Sequence, residues 1–266
     1  MACSLANAVA AAPRGVAWSA CVRDLATGEV IAAADPDAVL PAASMGKLLL
    51  LIEAARQAEA GELLLDERLE RTPEDAVADS GLWQHLDAGS LSAGDLATLV
   101  GAVSDNLATN VLLRRVGLDR VGETARSAGL RDTALHDRVR DARAAEHPAS
   151  LSSASAAELS WLFAELGAGR VLSPGVSERV LGWLAHGADL SMVAAPLGLD
   201  PLARGNDGLR HKTGADAGVR ADAGLLTGPR GALAYAVLAH WEDGDRRGAV
   251  LAAMRDVGAA LRDRVG

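Results

Sequence analysis

The segment from Ser44 to Ala60 is the feature that most limits how this chain can fold. Its residues are apolar around the whole circumference of a helix, and it contains the run LLLLI at positions 48–52. Such a helix is stable in water only when other elements enclose it, because no face of it is polar enough to remain at the surface. A chain of 266 residues, half of them hydrophobic, can form that enclosure as one large domain or as two interleaved ones.

Segments rich in strand-forming residues lie at the two ends of the chain. GVAWSACVRD and GEVIAAADPD flank the turn LATG near the N-terminus and predict a β-hairpin. Near the C-terminus GLRHKTG, RADAGLLTG and ALAYAVLAHW predict three strands, and RRGAVLAAMRDVGAALRDR predicts a final helix. The two strand-rich ends are therefore expected to form one sheet.

The region between the strands has the periodicity of amphipathic helices, several of which begin at Ser or Asp and end at Gly. The segments are SAGDLATLVGAVSD, DNLATNVLLRRVG, DRVGETARSAG, SAAELSWLFAELGAG and SPGVSERVLGWLAHG. The predicted fold class is α/β in the α+β sense: an antiparallel sheet from both chain ends with flanking helices, plus an inserted all-helical subdomain. Residues 1–60 with 191–266 form the predicted α/β subdomain, and residues 61–190 form the helical one.

Charge and composition exclude several classes of partner. The net charge of −9 disfavours nucleic acid and anionic membrane surfaces, and no apolar run approaches the roughly 18 residues that cross a bilayer. The start MACSLANAVAAAPRG has no basic residues before its alanine-rich run and an Asn in the middle of that run, so it does not resemble an intact signal peptide. We therefore expect a cytoplasmic protein as the sequence stands, or an exported one if a leader has been removed. Cys3, Cys21 and the six histidines show no metal-binding spacing, so we expect neither a metal nor another cofactor.

Lysine is almost absent from this chain. Of its 26 basic residues only Lys47 and Lys212 are lysines. Arginine stays charged, whereas a desolvated ammonium can lose its proton and act as a base. Ser44 precedes Lys47 by three residues, so the two side chains share a helix face, where apolar surroundings and the helix dipole favour a neutral amine able to take the serine proton. The alternative is a structural lysine that extends from a buried helix to solvent.

Two later motifs favour the catalytic interpretation of Lys47 over the structural one. They are VSDNLATN at positions 103–110 and HKTGAD at positions 211–216. Ser-x-x-Lys, Ser-Asp-Asn and Lys-Thr-Gly occur in this order in class A β-lactamases and penicillin-binding proteins, and the chain resembles that family over most of its length. The resemblance implies a catalytic set in which Ser44 is the acylated nucleophile and Lys47 its base. It also implies that Ser104 relays a proton to the leaving nitrogen while Lys212 supplies the electrostatic field for that relay.

The same resemblance implies a set of substrate-binding residues. Asn106 would orient the substrate amide, Thr213 would bind the substrate carboxylate, and Gly214 would let the substrate backbone lie close to the strand. Ala215 would give the second oxyanion-hole N–H beside that of Ser44. Arg220 is a candidate for a further contact with the substrate carboxylate, and the alternative is an arginine that simply lies at the surface. For Ser104 and Asn106 the alternative is that they cap a helix, as Ser and Asn often do.

The loop that should hold the deacylating glutamate departs from the family pattern. In LHDRVRDARAAEHPASLSS, alignment on the dipeptide DR puts Arg140 at the position of the glutamate that activates water in class A enzymes. Asp141 or Glu146 could replace it, and the alternative for each is a solvated loop carboxylate. Acylation is therefore better supported by the sequence than turnover of a β-lactam.

The predicted function is a serine hydrolase of the class A β-lactamase-like type that acts on a small molecule, either a β-lactam or a related amide or ester. Two alternatives stay open. One is a cell-wall peptidase or penicillin-binding protein, and the other is a non-catalytic protein that captures an acyl ligand and holds it. Burst kinetics distinguish hydrolysis from capture.

Overall fold

The computed structural model describes residues 4–78, 80–203 and 208–266. Cys3 lies outside the described residues. The helices are α1 Leu5–Ala10, α2 Lys47–Glu59, α3 Ala93–Val103, α4 Asn106–Val116, α5 Leu118–Ser127, α6 Ala156–Gly167, α7 Pro174–Leu184 and α8 Arg247–Val265. The strands are β1 Ala17–Asp24, β2 Val30–Ala34, β3 Leu40–Pro41, β4 Arg68–Glu70, β5 Ser90–Ser92, β6 Ala134–Leu135, β7 Ser152–Ala154, β8 Leu209–Asp216, β9 Val219–Gly228 and β10 Gly231–His240.

The main sheet joins the two ends of the chain. It has five antiparallel strands in the order β2-β1-β10-β9-β8, so β1 near the N-terminus pairs directly with β10 near the C-terminus. The strand β8, which carries the Lys-Thr-Gly motif, is at one edge. The predicted fold class and its sheet built from both ends are confirmed.

The sheet separates two hydrophobic cores because its strands alternate their side chains between faces. Within β1, Cys21 belongs to the core shared with α2 and α6, whereas Val22 belongs to the core shared with α1 and α8. The helix α2 lies at the centre of the first core, against α3, α4, α5 and α7. The predicted enclosure of α2 is confirmed, since its residues from Lys47 to Ala55 are all buried.

One carboxylate interrupts the apolar surface of α2 and is fully satisfied. Glu53 is buried and accepts hydrogen bonds from Arg56, Gln57 and Thr124. These bonds replace the water that the carboxylate loses on burial. The charged residue therefore does not disturb the enclosed helix.

The inserted region contains more than helices. Two short pairings accompany α3 to α7: β4 with β5, and the three-stranded set β3-β7-β6. The sequence analysis did not predict these pairings or α1. The division into residues 1–60 with 191–266 and 61–190 stays a prediction. In the part of the chain that the structure describes, no helix combines the length and hydropathy that crossing a bilayer requires.

Candidate active site

Ser44 lies in a tight turn that neighbouring elements hold in place. The 3₁₀ turn Ala43–Gly46 leads directly into α2. Its first residue, Ala43, has a φ of 48°, a left-handed conformation that costs energy for a residue with a side chain. Ser152 of β7 stabilises this conformation: its Oγ donates to the Ala43 carbonyl at 2.6 Å and accepts the Gly46 N–H at 3.3 Å. The nucleophile candidate is thus held by a residue more than 100 positions away.

Two glycines allow the backbone around Ser44 to pack closely. A Cβ atom on Gly46 would lie 2.5 Å from Ser152 Cβ, and one on Gly214 would lie 2.4 Å from the Ala42 carbonyl oxygen. Gly214 therefore brings the edge strand β8 against the turn. Its predicted role, to admit the substrate backbone, stays a prediction.

The amine of Lys47 points into a set of polar groups. The side chain is fully buried, and Nζ donates to the Ser104 carbonyl at 2.7 Å, to Ser104 Oγ at 3.3 Å and to Asn106 Oδ1 at 2.5 Å. Three acceptors match the three N–H bonds of an ammonium group. The alternative of a lysine that extends to solvent does not hold, because Lys47 has no exposed surface.

The Ser-Asp-Asn motif forms the short link between α3 and α4. Ser104 has left-handed backbone angles, φ 56° and ψ 33°, and ends α3. Asp105 begins α4: its buried carboxylate accepts the N–H groups of Ala108 at 2.8 Å, Leu82 at 2.6 Å and Trp83 at 2.8 Å. The sequence analysis assigned no role to Asp105, although its position before a helix is typical of an N-cap. Asp105 fixes the link and so fixes the directions of Ser104 and Asn106.

Lys212 reaches Ser104 from the opposite side. Its Nζ donates to Ser104 Oγ at 2.9 Å and to the Thr213 carbonyl at 2.7 Å. Burial lowers the pKa of Lys212 to about 8, although the charges of Asp189 and Asp222 act in the opposite direction. The structure therefore places one hydroxyl, Ser104 Oγ, between the amines of the two lysines, which is the arrangement that the predicted proton relay requires.

A polar network that the sequence analysis missed lies next to Lys212. Asp222 of β9 is fully buried and accepts hydrogen bonds from Tyr235 OH at 3.0 Å and the Val193 N–H at 3.0 Å, and its Oδ1 is hydrogen-bonded with His211 Nδ1 at 3.1 Å. Burial, followed by the charge of Asp222, raises the pKa of Tyr235 well above its usual value. These contacts join three strands, so no local sequence pattern reveals them.

Two cavities meet at Ser44. The first has a volume of about 260 Å³. Its lining includes Ala215 and eight polar residues, which are Ser44, Ser80, Ser104, Asn106, Asp189, His211, Lys212 and Thr213. The second has a volume of about 610 Å³, and its lining includes Ser44, Asn106, Arg140, Asp141, Arg143 and Ala215. Seven of the ten residues predicted for the site therefore line one cavity or both, the exceptions being Lys47, Gly214 and Arg220.

The loop after β6 brings cations into the second cavity. Arg140 Nε donates to Asp137 Oδ2 at 2.7 Å, and Arg143 Nη1 donates to the same oxygen at 2.9 Å. Burial raises the pKa of Asp137, but these guanidinium groups outweigh that effect and the pKa is lowered overall. Asp141 is exposed, and its Oδ1 accepts the Ala78 N–H at 2.8 Å. Glu146 is exposed and does not line either cavity.

Arg220 lies near the site without lining it. It is the residue of β9 that pairs with Ala215, and its Nη1 donates to the carbonyl oxygens of Asp216 at 2.9 Å and Val219 at 2.6 Å. Its predicted contact with a substrate carboxylate stays a prediction. Among the described residues, no group of three or more histidine, cysteine, aspartate or glutamate side chains is placed to hold a metal ion.

Known proteins resemble this chain in sequence and in fold. A family model described as "Beta-lactamase enzyme family" matches residues 3–265. A solved β-lactamase from Sphaerobacter thermophilus is 30% identical with a TM-score of 0.85, and the match covers 98% of this chain and 97% of that one. The solved structure of PBP-A has the same fold at 24% identity, with a TM-score of 0.80 over 96% of this chain and 91% of that one.

A curated relative matches over a shorter length. The β-lactamase regulatory protein BlaB from Streptomyces cacaoi is 30% identical over 129 residues. These residues are 48% of this chain and 41% of that protein, so the match spans less than half of either.

Proposed function

This chain belongs to the β-lactamase enzyme family, and from that premise we propose that it is a serine hydrolase in which Ser44 is acylated by a β-lactam or by a related strained or activated amide or ester. One observation carries the proposal. Ser104 Oγ lies 3.3 Å from the amine of Lys47 and 2.9 Å from that of Lys212, in a cavity that Ser44 also lines. The two lysines of an otherwise lysine-free chain thus converge on one hydroxyl.

The proposed acylation moves one proton from Ser44 to the leaving nitrogen. Ser104 gives its hydroxyl proton to that nitrogen and takes one from the Lys47 ammonium, and the amine so formed accepts the proton of Ser44. As this occurs, the Ser44 Oγ–carbon bond forms and the carbon–nitrogen bond breaks. The hydrogen bonds of Lys47 to Ser104 support this route because the donor and the relay are already in contact.

The substrate groups have candidate partners around the first cavity. The N–H groups of Ser44 and Ala215 form the proposed oxyanion hole, which is supported by the close approach of β8 to the turn: a Cβ on Gly214 would lie 3.2 Å from Ser44 N. Thr213 is the proposed ligand of a substrate carboxylate, and it lines the same cavity as Ser44. Asn106 is the proposed ligand of the substrate amide.

Release of the acyl group is proposed to be slow. Arg140 lies in the cavity that Ser44 shares, where a cation cannot accept a proton from water. Asp137 is engaged by two guanidinium groups, and Asp141 is hydrogen-bonded to Ala78. A missing general base costs about 10²–10⁴ in rate, so an acyl-enzyme that forms readily should accumulate.

The second candidate function is capture of an acyl ligand without turnover. The same arginines favour it, because no described carboxylate of the loop is both free of a partner and in the cavity. A solved structure of a PBP-A mutant, 24% identical to this chain, is an acyl-enzyme complex with penicillin G. A cell-wall peptide is the corresponding substrate if the chain acts as a penicillin-binding protein.

The test is to incubate the protein with a fluorescent penicillin and a panel of activated esters and to measure its intact mass over time. We expect one adduct per chain on the wild type, none on Ser44→Ala, and undiminished labelling of the control Ser80→Ala, which changes another serine of the same cavity. Equal labelling of Ser44→Ala would refute the proposal. A single stoichiometric burst identifies capture, and a burst followed by a continuing rate identifies slow hydrolysis.

A further inference from the structure

His211 is a buried imidazole with one bonded and one free ring nitrogen. Its side chain is 3% exposed, and Nδ1 is hydrogen-bonded with Asp222 Oδ1 at 3.1 Å. In the part of the chain that the structure describes, Nε2 has no hydrogen-bond partner, yet it is not among the fully enclosed unpaired atoms, where Thr133 Oγ1 is the one example. Because His211 lines the first cavity, its free nitrogen is accessible from that cavity.

The free edge of the ring faces the segment that follows α7. A Cβ atom on Gly187 would lie 2.8 Å from both Cδ2 and Nε2 of His211, and Gly187 lines the same cavity. An alanine at position 187 would therefore cover the nitrogen. Glycine at this position leaves open the one edge of the imidazole that a ligand can reach.

His211 lies farther from the reaction centre than the residues proposed to bind a β-lactam. Alternation along β8 puts the side chains of His211 and Thr213 on the same face, and Ala215 follows two residues later. At about 3.3 Å per residue, His211 is ~7 Å beyond Thr213 and ~13 Å from Ala215 along the strand. The cavity therefore continues past the proposed carboxylate ligand, Thr213, and ends at an imidazole that the acylation route does not use.

Asp222 favours the protonated form of this imidazole. Its carboxylate is 0% exposed, and its other two hydrogen-bond donors are neutral, the hydroxyl of Tyr235 and the N–H of Val193. Of the described groups that bond to it, His211 is thus the one that can carry a positive charge. A buried carboxylate without a counterion is costly, so the pair is stabilised when the ring is protonated. Nε2 is then a cationic donor that faces the cavity.

The other charged groups around this end of the cavity oppose one another. Lys212 follows His211 on β8, Asp189 lies after α7, and both line the cavity with opposite charges. Arg220 of β9 donates to two backbone carbonyl groups and does not line the cavity. The imidazolium therefore adds a positive charge that no other lining residue cancels.

We propose that His211 is a specificity residue: its imidazolium binds a terminal carboxylate on a leaving group that is longer than that of a penicillin. Such a leaving group runs along β8 from Ser104 past Thr213 and ends at Nε2. The substrates are esters or amides whose leaving group is an unbranched chain with a carboxylate at its end. A neutral ring that keeps its proton on Nδ1 presents a lone pair at Nε2, which repels a carboxylate. This inference deepens the proposed function and rests on it for the hydrolysis of these substrates.

The test measures binding to Ser44→Ala, which needs no acylation. The probes are phenylacetyl esters of ω-hydroxy acids with one to six methylene groups before the carboxylate, and the matching chains that end in an amide or an amine. Histidine labelled with ¹⁵N reports the ring of His211, and His211→Gln assigns its signals. We expect the long-chain carboxylate to bind about 10- to 100-fold more tightly than its amide, as one hydrogen bond to a charged group allows. The preference should be small for the shortest chain and should disappear as the ring signals show loss of the proton.

Two variants in the Ser44→Ala background separate this role from a structural one. His211→Gln should keep only a weaker preference that does not change with pH, because its amide is a neutral donor. Gly187→Ala should remove the preference while the bond between His211 and Asp222 stays. The control is Gly182→Ala, whose added Cβ would meet nothing within 4 Å.

Three results would each overturn the inference: a long-chain carboxylate that binds no better than its amide, an undiminished preference in Gly187→Ala, or a preference for the amine. If His211→Gln does not fold, Gly187→Ala decides by the same comparison. Binding to Ser44→Ala does not depend on the nucleophile, so a wild type that is never acylated refutes the proposed function and leaves this test intact.

Discussion

Replacing Gly214 by alanine tests whether the edge strand holds the nucleophile in position. The new Cβ would lie 2.4 Å from the Ala42 carbonyl oxygen and 3.2 Å from Ser44 N. Ordinary contact begins at 3.4 Å, so β8 and the turn must separate by 3.4 − 2.4 = 1.0 Å. A misplacement of about 1 Å costs ~100-fold in rate, and an overpacked site costs about 1–3 kcal/mol of stability.

The assay compares acylation rates by stopped flow with a fluorescent penicillin and Tm values by calorimetry. We expect Gly214→Ala to acylate ~100-fold more slowly and its Tm to fall by roughly 2–12 °C, at ~2–4 °C per kcal/mol for a protein of about this size. Gly89→Ala is the control, because Gly89 is exposed and its added Cβ would meet nothing within 4 Å. Acylation at the wild-type rate with an unchanged Tm in Gly214→Ala would refute the reasoning.

Further outcomes are expected around the two lysines, the loop and the helix link. Lys47→Arg should slow acylation by ~100-fold or more, because a guanidinium does not release its proton; a stopped-flow rate near that of the wild type would contradict this. The rate of acylation should stay constant below pH 8 and decline above it, because burial lowers the pKa of Lys212 to about 8 and the ammonium form predominates only below that value. A rate that does not change across this pH would contradict a role for the Lys212 ammonium in acylation. Arg140→Glu should shorten the life of the acyl-enzyme by up to ~100-fold while Asp141→Asn leaves it unchanged, as followed by intact mass; loss of turnover in Asp141→Asn would instead make that aspartate the base. Asp105→Asn should lower the free energy of unfolding by about 1–3 kcal/mol, because its carboxylate accepts three backbone N–H groups; an identical urea midpoint would disprove this.

The larger elements were predictable because their patterns are local. The amphipathic segments between residues 92 and 187 became α3 to α7, and the alternating segments at the two ends became strands of one sheet. The pairing of β3, β6 and β7 was not predictable, because strands of two or three residues have no period to detect. The helix α1 was missed because its six residues form an alanine-rich run with only a serine cap at the start.

The site could be predicted as far as its motifs extend. Ser44, Ser104 and Lys212 were assigned together from three short motifs, and the structure brings them to one cavity. The residues that hold the site were not assigned. Ser152 bonds a residue 109 positions away, and the carboxylate of Asp222 joins three strands, so only the fold shows that these residues belong to the site.

The pairing of β1 with β10 sets the order in which this molecule can be completed during synthesis. A chain that has emerged from the ribosome only to residue 200 contains the hairpin and the helix α2, but it lacks β8, β9 and β10. In that state the first core lacks the strands β9 and β10 that pack on α6, so apolar surface of α6 stays exposed until these strands arrive. At about 5–20 residues per second the remaining quarter of the chain takes several seconds, which is long enough for a chaperone to bind. The lysine of β8 therefore reaches Ser104 among the last events of folding, and a nascent or truncated chain is expected to have no acylating site.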